Sequence, residues 1–299
     1  MRLIECVPNL SEGRDLGVID RITQVVSQTK GIKLLHRTSD YDHNRSVLTF
    51  TGQANALREA VLIMYEEVAN LIDMRDHQGE HPRIGAVDVC PFVPLGATKM
   101  TECRDLAEEV ASIVGPKHAL PVYLYEEAAL HEERRRLENV RRGQYEGLER
   151  KLENAAWHPD FGPGEFNPRL GATIIGARKI LIAYNVNLRS QDLGVAKKIA
   201  AAIRESSGGL RNVKALGINM AHLDKVQVSM NLTDYQATPI HRVFELIRAE
   251  AARYGVEVAE SELIGLAPAD AFLSAAAHYL HLEDFSEQRT LEYLIHASG

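Results

Sequence analysis

The order β-α-β-β-α-β reads out twice along this chain, and no other feature restricts its fold as strongly. In the first half, "LIECVPNL" is a short apolar run of strand character, and "LGVIDRITQVVSQT" places Val18, Ile19, Ile22, Val25 and Val26 at helical spacing. "GIKLLHRTSD" and "RSVLTFTG" read as strands joined by the polar turn "DYDHN", followed by the helix "ANALREAVLIMYEEVANLID" and the strand "IGAVDVCPFVPL". A further helix, "TECRDLAEEVASIV", and a strand, "PVYLY", extend this half. The second half repeats the order with "ILIAYNVNL", "LGVAKKIAAAIRES", "VKALGIN", "KVQVSMNLT", "IHRVFELIRAEAARYG" and "VEVAESELIG", then adds a last helix, "PADAFLSAAAHYL". This is the order of the ferredoxin-like split motif. The expected fold is therefore α/β (α+β): two ferredoxin-like subdomains, residues 1–178 and 179–299, with helices on one face of each sheet and the sheets facing across a cleft.

Two stretches fall outside that scheme. "EERRRLENVRRGQYEGLERKLENA" interleaves acids and bases and reads as a solvated helical face. "WHPDFGPGEFNPRLGATIIGARK" is too rich in proline and glycine for a regular element. It reads as a shaped binding loop rather than a linker, because Trp157, Asp160, Phe161, Phe166 and Arg169 alternate with the breakers.

Bulk properties exclude several classes. The 299 residues are 45% hydrophobic and 25% charged, and no apolar run is long enough to cross a bilayer. The N-terminus meets Pro8 and charged residues too early for a signal peptide, so a cytoplasmic location is expected. Cys6, Cys90 and Cys103 form no C-x-x-C pair and read as reduced, buried thiols. A net charge of −7 argues against nonspecific nucleic-acid binding and leaves room for an anionic small molecule only where arginines are focused in a cleft.

The residues with chemistry cluster in short motifs. "HQGEHPRIG" spells H-x-x-E-H, an inverted zinc-peptidase pattern that needs a helix to bring both imidazoles to one ion. Gly79 and Pro82 oppose a helix, so the segment reads as a loop carrying His77, Glu80, His81 and Arg83, with no metal expected. Histidine suits a proton shuttle at neutral pH, and a nearby guanidinium suits a substrate carboxylate. In "DYDHNRSV", turn chemistry accounts for Asp42 and Asn44 but not for Arg45. In "VPNLSEG", Ser11 is placed to cap the first helix, while Asn9 and Glu12 are candidates to face the cleft. Asn185 and Asn187 share one side of their strand, as a ligand-facing row or as a structural network.

"ECVPNLSEG", "DHNRSV", "HQGEHPRIGAVDVCPF", "PVYLY" and above all "WHPDFGPGEFNPRLGATIIGARKILIAYNVNL" resemble the formiminotransferase domain of the glutamate formimidoyltransferase family, over nearly the whole chain. The resemblance implies transfer of a formimino group from N-formimino-L-glutamate to N5 of tetrahydrofolate, a step of histidine degradation. It implies tetrahydrofolate as co-substrate without a metal, a homodimer, and a separate formimidoyltetrahydrofolate cyclodeaminase as partner. Carried over, the catalytic residue is His81, and the folate loop comprises Gly162, Pro163, Gly164, Glu165, Phe166, Asn167, Pro168, Arg169, Leu170 and Gly171. Substrate-binding candidates are Asn9, Asn44, Arg45, Arg83, Arg178, Asn185 and Asn187, with Arg169 also placed to meet a carboxylate. The family pattern carries an aspartate where this chain has His36, and either Asp40 or Asp42 stands in as the acidic neighbour of the catalytic histidine. A related folate-dependent transferase using N-formylglutamate or formiminoglycine is the alternative, and a zinc hydrolase the more remote one.

Overall fold

A computed structural model describes residues 2–220 and 224–297, with the backbone alone for 296 and 297, and the chain divides into two units, residues 1–179 and 180–299. In the first unit the chain runs through β1 (Arg2–Cys6), β2 (Asn9–Leu10), α1 (Leu16–Gln28), β3 (Lys33–Asp40), β4 (Arg45–Gly52), α2 (Ala54–Leu71) and β5 (Val87–Gly96). The short β2 continues β1 after Pro8, which has no amide hydrogen to give to a ladder. Strand order β3-β4-β1-β5 is antiparallel throughout and is the split β-α-β arrangement expected from the element order. Then α3 (Met100–Lys117) leads to β6 (Val122–Glu126), and β7 (Thr173–Ala177) inserts parallel between β5 and β6, completing a mixed sheet of seven strands.

Strand β7 lies inside the stretch read from sequence as a loop. Its five residues are all buried, but they are short and hidden behind the preceding breakers. The highly charged stretch also differs from expectation. It is no single solvated helix but a set of short turns around α4 (Leu137–Arg141) and α5 (Leu148–Leu152), which bury Val140, Leu148 and Leu152 against Val89, Tyr123, Tyr125 and Ile174. The interleaved charges conceal Leu137 and Val140 in one short helix and Leu148 and Leu152 in the other, three and four residues apart, enough for a narrow apolar stripe on each. Helices α1 to α3 cover the other face, packing on Ile4, Cys6, Leu48, Phe50 and Phe92. Strand β5 is thus covered on both sides, which is why its sequence is almost continuously apolar.

The second unit contains β8 (Ile182–Leu188), α6 (Leu193–Ile203), β9 (Val213–Met220), β10 (Lys225–Leu232), α7 (Ile240–Arg253), β11 (Val258–Ile264) and α8 (Ala269–Leu280). Its antiparallel order β11-β8-β10-β9 places fourth, first, third and second strands side by side, as in the first unit. Val186, Leu188, Val226 and Val228 meet Ile199, Val243 and Ile247 in its core. Among the described residues no helix is long and apolar enough to cross a membrane. Cys6, Cys90 and Cys103 are free and buried.

One close approach ties the loop before β5 to the turn before β7. Ala86 N donates to Leu170 O at 2.9 Å, and Ala172 N donates to Ile84 O at 3.0 Å. A Cβ on Gly85 would lie 2.0 Å from Ala172 O and 2.4 Å from Leu170 O, so only glycine allows the two segments to touch. Gly85→Ala is expected to cost roughly 3 kcal/mol, in the range of overpacking that moves backbone. Gly208→Ala, at φ +89° with nothing within 4 Å of the added carbon, should cost about 1 kcal/mol from backbone strain alone. Urea unfolding of both variants checks the contrast.

Candidate active site

The loop that follows α2, residues 73–86, contains no helix, so His77 and His81 are not set one turn apart on a helical face. Its path is held by the β3–β4 hairpin. Gly79 packs so closely that a Cβ would lie 2.3 Å from His43 O, and Glu80 N donates to Asp42 O. Asn44 joins three segments. At φ +46°, a left-handed backbone that asparagine tolerates, it accepts at Oδ1 from Gly13 N (3.0 Å) and donates from Nδ2 to Gln78 O (2.9 Å). Both ends of this amide are therefore structural, and Asn44 positions the histidine loop rather than presenting itself to a substrate.

The two histidines of the loop have different surroundings. His77 Nε2 lies 2.9 Å from Asn44 O, to which it can only donate, and its Nδ1 accepts from Arg83 Nε at 3.2 Å. Both ring nitrogens are used, and His77 is a fixed strut. Arg83, 6% exposed, spends its fork on the internal structure: Nη1 and Nη2 donate to Glu146 at 3.0 and 2.7 Å, and Nη2 also donates to His77 O. The expectation that Arg83 meets a substrate carboxylate does not match this placement, because a buried guanidinium already has its bidentate partner.

His81 faces a different set. Its Nε2 lies 2.7 Å from Arg45 Nη1, and because arginine can only donate, that ring nitrogen carries the lone pair. Arg45 Nη1 also donates to Asn9 Oδ1 at 3.1 Å, so Asn9, Arg45 and His81 meet at one point. Burial first, then the charges of Arg45, Arg141 and His43, push the His81 imidazolium down to about 2, so the ring is neutral. Asp40 belongs to His43: it accepts from the His43 amide at 2.8 Å and lies 3.1 Å from Nδ1. Burial alone would raise Asp40, but these contacts outweigh it and hold the carboxyl below its ordinary value. The His43 ring in turn stands edge-on to His81 at 6.0 Å. His36 pairs with Thr49 along the β3–β4 ladder and belongs to the sheet. Of the carboxylates weighed from sequence, Asp40 approaches His81 through His43, while the exposed Asp42 contributes its backbone carbonyl to the loop.

Two charged residues that sequence reading missed complete the surroundings. Asp88, 2% exposed, accepts from Ile84 N at 3.0 Å and pairs with Arg141 from α4. Asp88 had a signal: it is the one charge in the apolar run "AVDVCPFV", and a buried carboxylate requires a partner. Arg141 had none. Ser11 does not cap α1, whose cap is Asp15; its hydroxyl donates to Gly85 O at 2.7 Å. Ser11, His43, Asn44, Arg45, His77, His81, Arg83 and Asp88 gather in one tightly packed polar cluster.

The glycine-rich loop is anchored, not slack. Asp160 accepts from Leu124 N and Arg134 Nη1 at 2.7 and 2.5 Å, both side chains almost wholly buried. Asn167 accepts from Arg169 N and Leu170 N and donates to His118 O and Ala119 O. Gly162 and Gly171 adopt φ +78° and +72°. Phe166 packs on Tyr145, whose hydroxyl donates to Pro168 O at 2.5 Å, while Pro163 is half-buried and Gly164 and Glu165 are exposed. Arg169 donates to Asn70 O. Arg178 sits after β7, near Glu5, which burial raises and Arg178 lowers. In the second unit Asn185 and Asn187 lie together on the sheet face opposite the helices and bond to Glu262, Glu260 and Gln227, so the structural network is present there. Among the described residues no group of three His, Cys, Asp or Glu side chains is arranged to hold a metal ion.

The depressed His81 has a consequence for stability. Its unfolded value is near 6.5 and its folded value far lower, so the contribution is complete above pH 6.5 and is lost as pH falls below it. Between pH 7.5 and 5.5 the protein should therefore lose about 1 kcal/mol more than His81→Gln, which cannot titrate. Urea midpoints at the two pH values measure this.

Comparison with known proteins gives the family of the chain. The N-terminal subdomain of the formiminotransferase domain matches residues 3–178, and the formiminotransferase domain matches residues 183–297. A glutamate formimidoyltransferase of Thermoplasma acidophilum is 47% identical over 294 residues, covering 98% of this chain and 97% of that protein. One from Streptococcus pyogenes is 42% identical over 290 residues, covering 97% of each. A formimidoyltransferase-cyclodeaminase of Rattus norvegicus is 44% identical over 288 residues, with 94% of this chain matching 53% of its length. With both subdomains matched in order and two relatives aligned end to end, the chain belongs to the formiminotransferase family.

Proposed function

We propose that this protein is a glutamate formimidoyltransferase, moving the formimino group of N-formimino-L-glutamate to N5 of tetrahydrofolate and releasing L-glutamate. The observation that carries this reading is the neutral imidazole of His81, with its lone pair at Nε2 beside Arg45 and in the same unit as the anchored glycine-rich loop. Attack of N5 on the formimino carbon forms the new C–N bond and a tetrahedral centre. His81 takes the N5 proton and returns it to the glutamate nitrogen as the old C–N bond breaks, so no net proton is gained or lost. Most of the acceleration then comes from holding two substrates in register, because one proton shuttle supplies only about 10² to 10⁴.

The loop from Gly162 to Gly171 is the proposed seat of the folate. Its tight φ-positive glycines and the Asn167 contacts hold it in one shape, and Phe166 and Tyr145 offer aromatic surface for a planar ring. Arg45 is the best placed of the candidate arginines for the donor, with Asn9 steadying it, while Arg169 and Arg178 remain candidates for the folate glutamate tail. Asn185 and Asn187 are proposed substrate contacts of the second unit. The expected setting is a cytoplasmic homodimer in histidine degradation, with the product passed to a separate cyclodeaminase. The fusion of the two activities named in the Rattus norvegicus relative is consistent with such a partner.

Formation of 5-formiminotetrahydrofolate by the purified, metal-free protein in a single turnover tests the reading directly. His81→Ala should lower that rate by roughly 10² to 10⁴ while tetrahydrofolate affinity stays within about twofold. Loss of folate binding in a correctly folded His81→Ala protein would remove the shuttle role.

A further inference from the structure

Beside the His81 ring, two guanidinium groups from distant parts of the chain stand close without enough carboxylate to balance them. Arg45 comes from the start of β4 and Arg141 from the end of α4. Arg141 Nη2 pairs with Asp88, whose other oxygen is already taken by Ile84 N, and the buried Arg141 Nε has no partner. Arg45 uses only Nη1, on Asn9 and His81, and among the described residues nothing accepts from its Nε or Nη2. Asp40 is engaged by His43. The two cations repel: after burial, Arg141 is the main influence lowering Arg45 from its ordinary value, and Asp88 and Asp40 oppose this.

The same arrangement leaves His81 unable to act. Its one basic nitrogen, Nε2, sits 2.7 Å from Arg45 Nη1, so its lone pair is already engaged. The groups around that ring are Arg45 from β4, Arg141 from α4, His43 and Asp40 from the hairpin, and Asp88 from β5, with His77, Arg83 and Glu146 behind its own loop.

We propose that Arg45 and Arg141 form a carboxylate subsite for the donor, and that a carboxylate bound there draws Arg45 away from His81 and frees Nε2 as the base. This rests on the transferase reading and adds to it a residue, Arg141, and a gate. An anion between the two guanidiniums relieves their repulsion and takes the unused donors of Arg45, so the attraction is charge-assisted and forked. The carboxylate also offsets the positive charge of the guanidiniums beside His81, which raises the affinity of the neutral ring for the N5 proton. A donor without a carboxylate would leave Arg45 on His81 and be turned over poorly, so the gate couples recognition to chemistry.

The experiment follows His81 by NMR of protein labelled with ¹³C at histidine Cε1, assigned by the signal lost in His81→Gln. L-glutamate is the probe. The free protein should show no His81 titration between pH 5 and 8, and saturating L-glutamate should bring a titration into that window. The double variant Asp88→Asn, Arg141→Gln, which neutralises both partners of the buried pair, should bind L-glutamate about tenfold more weakly, the loss of one charge-assisted contact. Should that variant not fold by circular dichroism, Arg141→Lys keeps the charge on Asp88 but loses the fork, and the same weakening is expected. Titration of His81 in the free protein, an unmoved His81 signal on adding L-glutamate, or wild-type glutamate affinity in the folded Arg141 variant would each overturn the proposal. If L-glutamate restores the titration but no formimino transfer to tetrahydrofolate occurs, the subsite stands and the transferase reading falls.

Discussion

The first unit depends on a place where two backbones touch. Around Gly85 and Gly171 the chain before β5 and the chain before β7 exchange hydrogen bonds with no space for a side chain between them. That antiparallel bridge lies just before the parallel pairing of β5 with β7 and fixes where each preceding loop ends. The preceding loops are the histidine loop and the glycine-rich loop. Ser11 adds a third segment by donating to Gly85 O, so the end of the first strand is drawn to the same joint. Loops are usually the least ordered parts of a fold, yet here two of them are tied to a sheet at their bases and pinned by buried side chains, Asn44 on one and Asp160 with Arg134 on the other.

Within the histidine loop, hydrogen bonding divides labour between chemically identical side chains. His77 has a carbonyl at one nitrogen and a guanidinium at the other, leaving it no unpaired ring nitrogen. His81 has its lone pair beside Arg45, and burial first, then two guanidiniums and a second imidazole, hold its pKa well below the ordinary value and keep the ring neutral. The arginines divide similarly. Arg83 satisfies its fork on Glu146 and becomes part of the scaffold, whereas Arg45 has one nitrogen engaged and the others unpaired among the described residues. The internal structure thus completes the hydrogen bonding of one arginine and leaves the other incomplete.

Much of the fold was legible from local pattern. The period-two alternation of β4 and β8, the helical spacing of α1, α2 and α7, and the Asp-rich turn between β3 and β4 place those elements and their order, and the order is enough to name the split β-α-β arrangement. What was not legible had no local signal. The strand β7 is five residues long between breakers, and the stretch from 132 to 152 carries its apolar stripe among many charges. At the site, His81 and the glycine-rich loop stood out by residue type and by resemblance, and Arg45 by being unexplained in its turn. Arg141 could not be found, because nothing in "ENVRRG" distinguishes one surface arginine from another.

By itself the amino-acid sequence determined the elements, their duplicated order, the loop character of residues 77–85 and the chemical types gathered there, because these follow from backbone preferences and from periodicities a few residues long. Only the tertiary structure decided which histidine is held at both ring nitrogens by the scaffold and which faces Arg45, which arginine is spent on a carboxylate, and that Asp88 and Arg141 stand beside the site. Those outcomes depend on partners distant in sequence, 36 residues apart for Arg45 with His81 and 63 for Arg83 with Glu146. The strength and direction of such contacts are set by distance and burial, which exist only once the chain has folded.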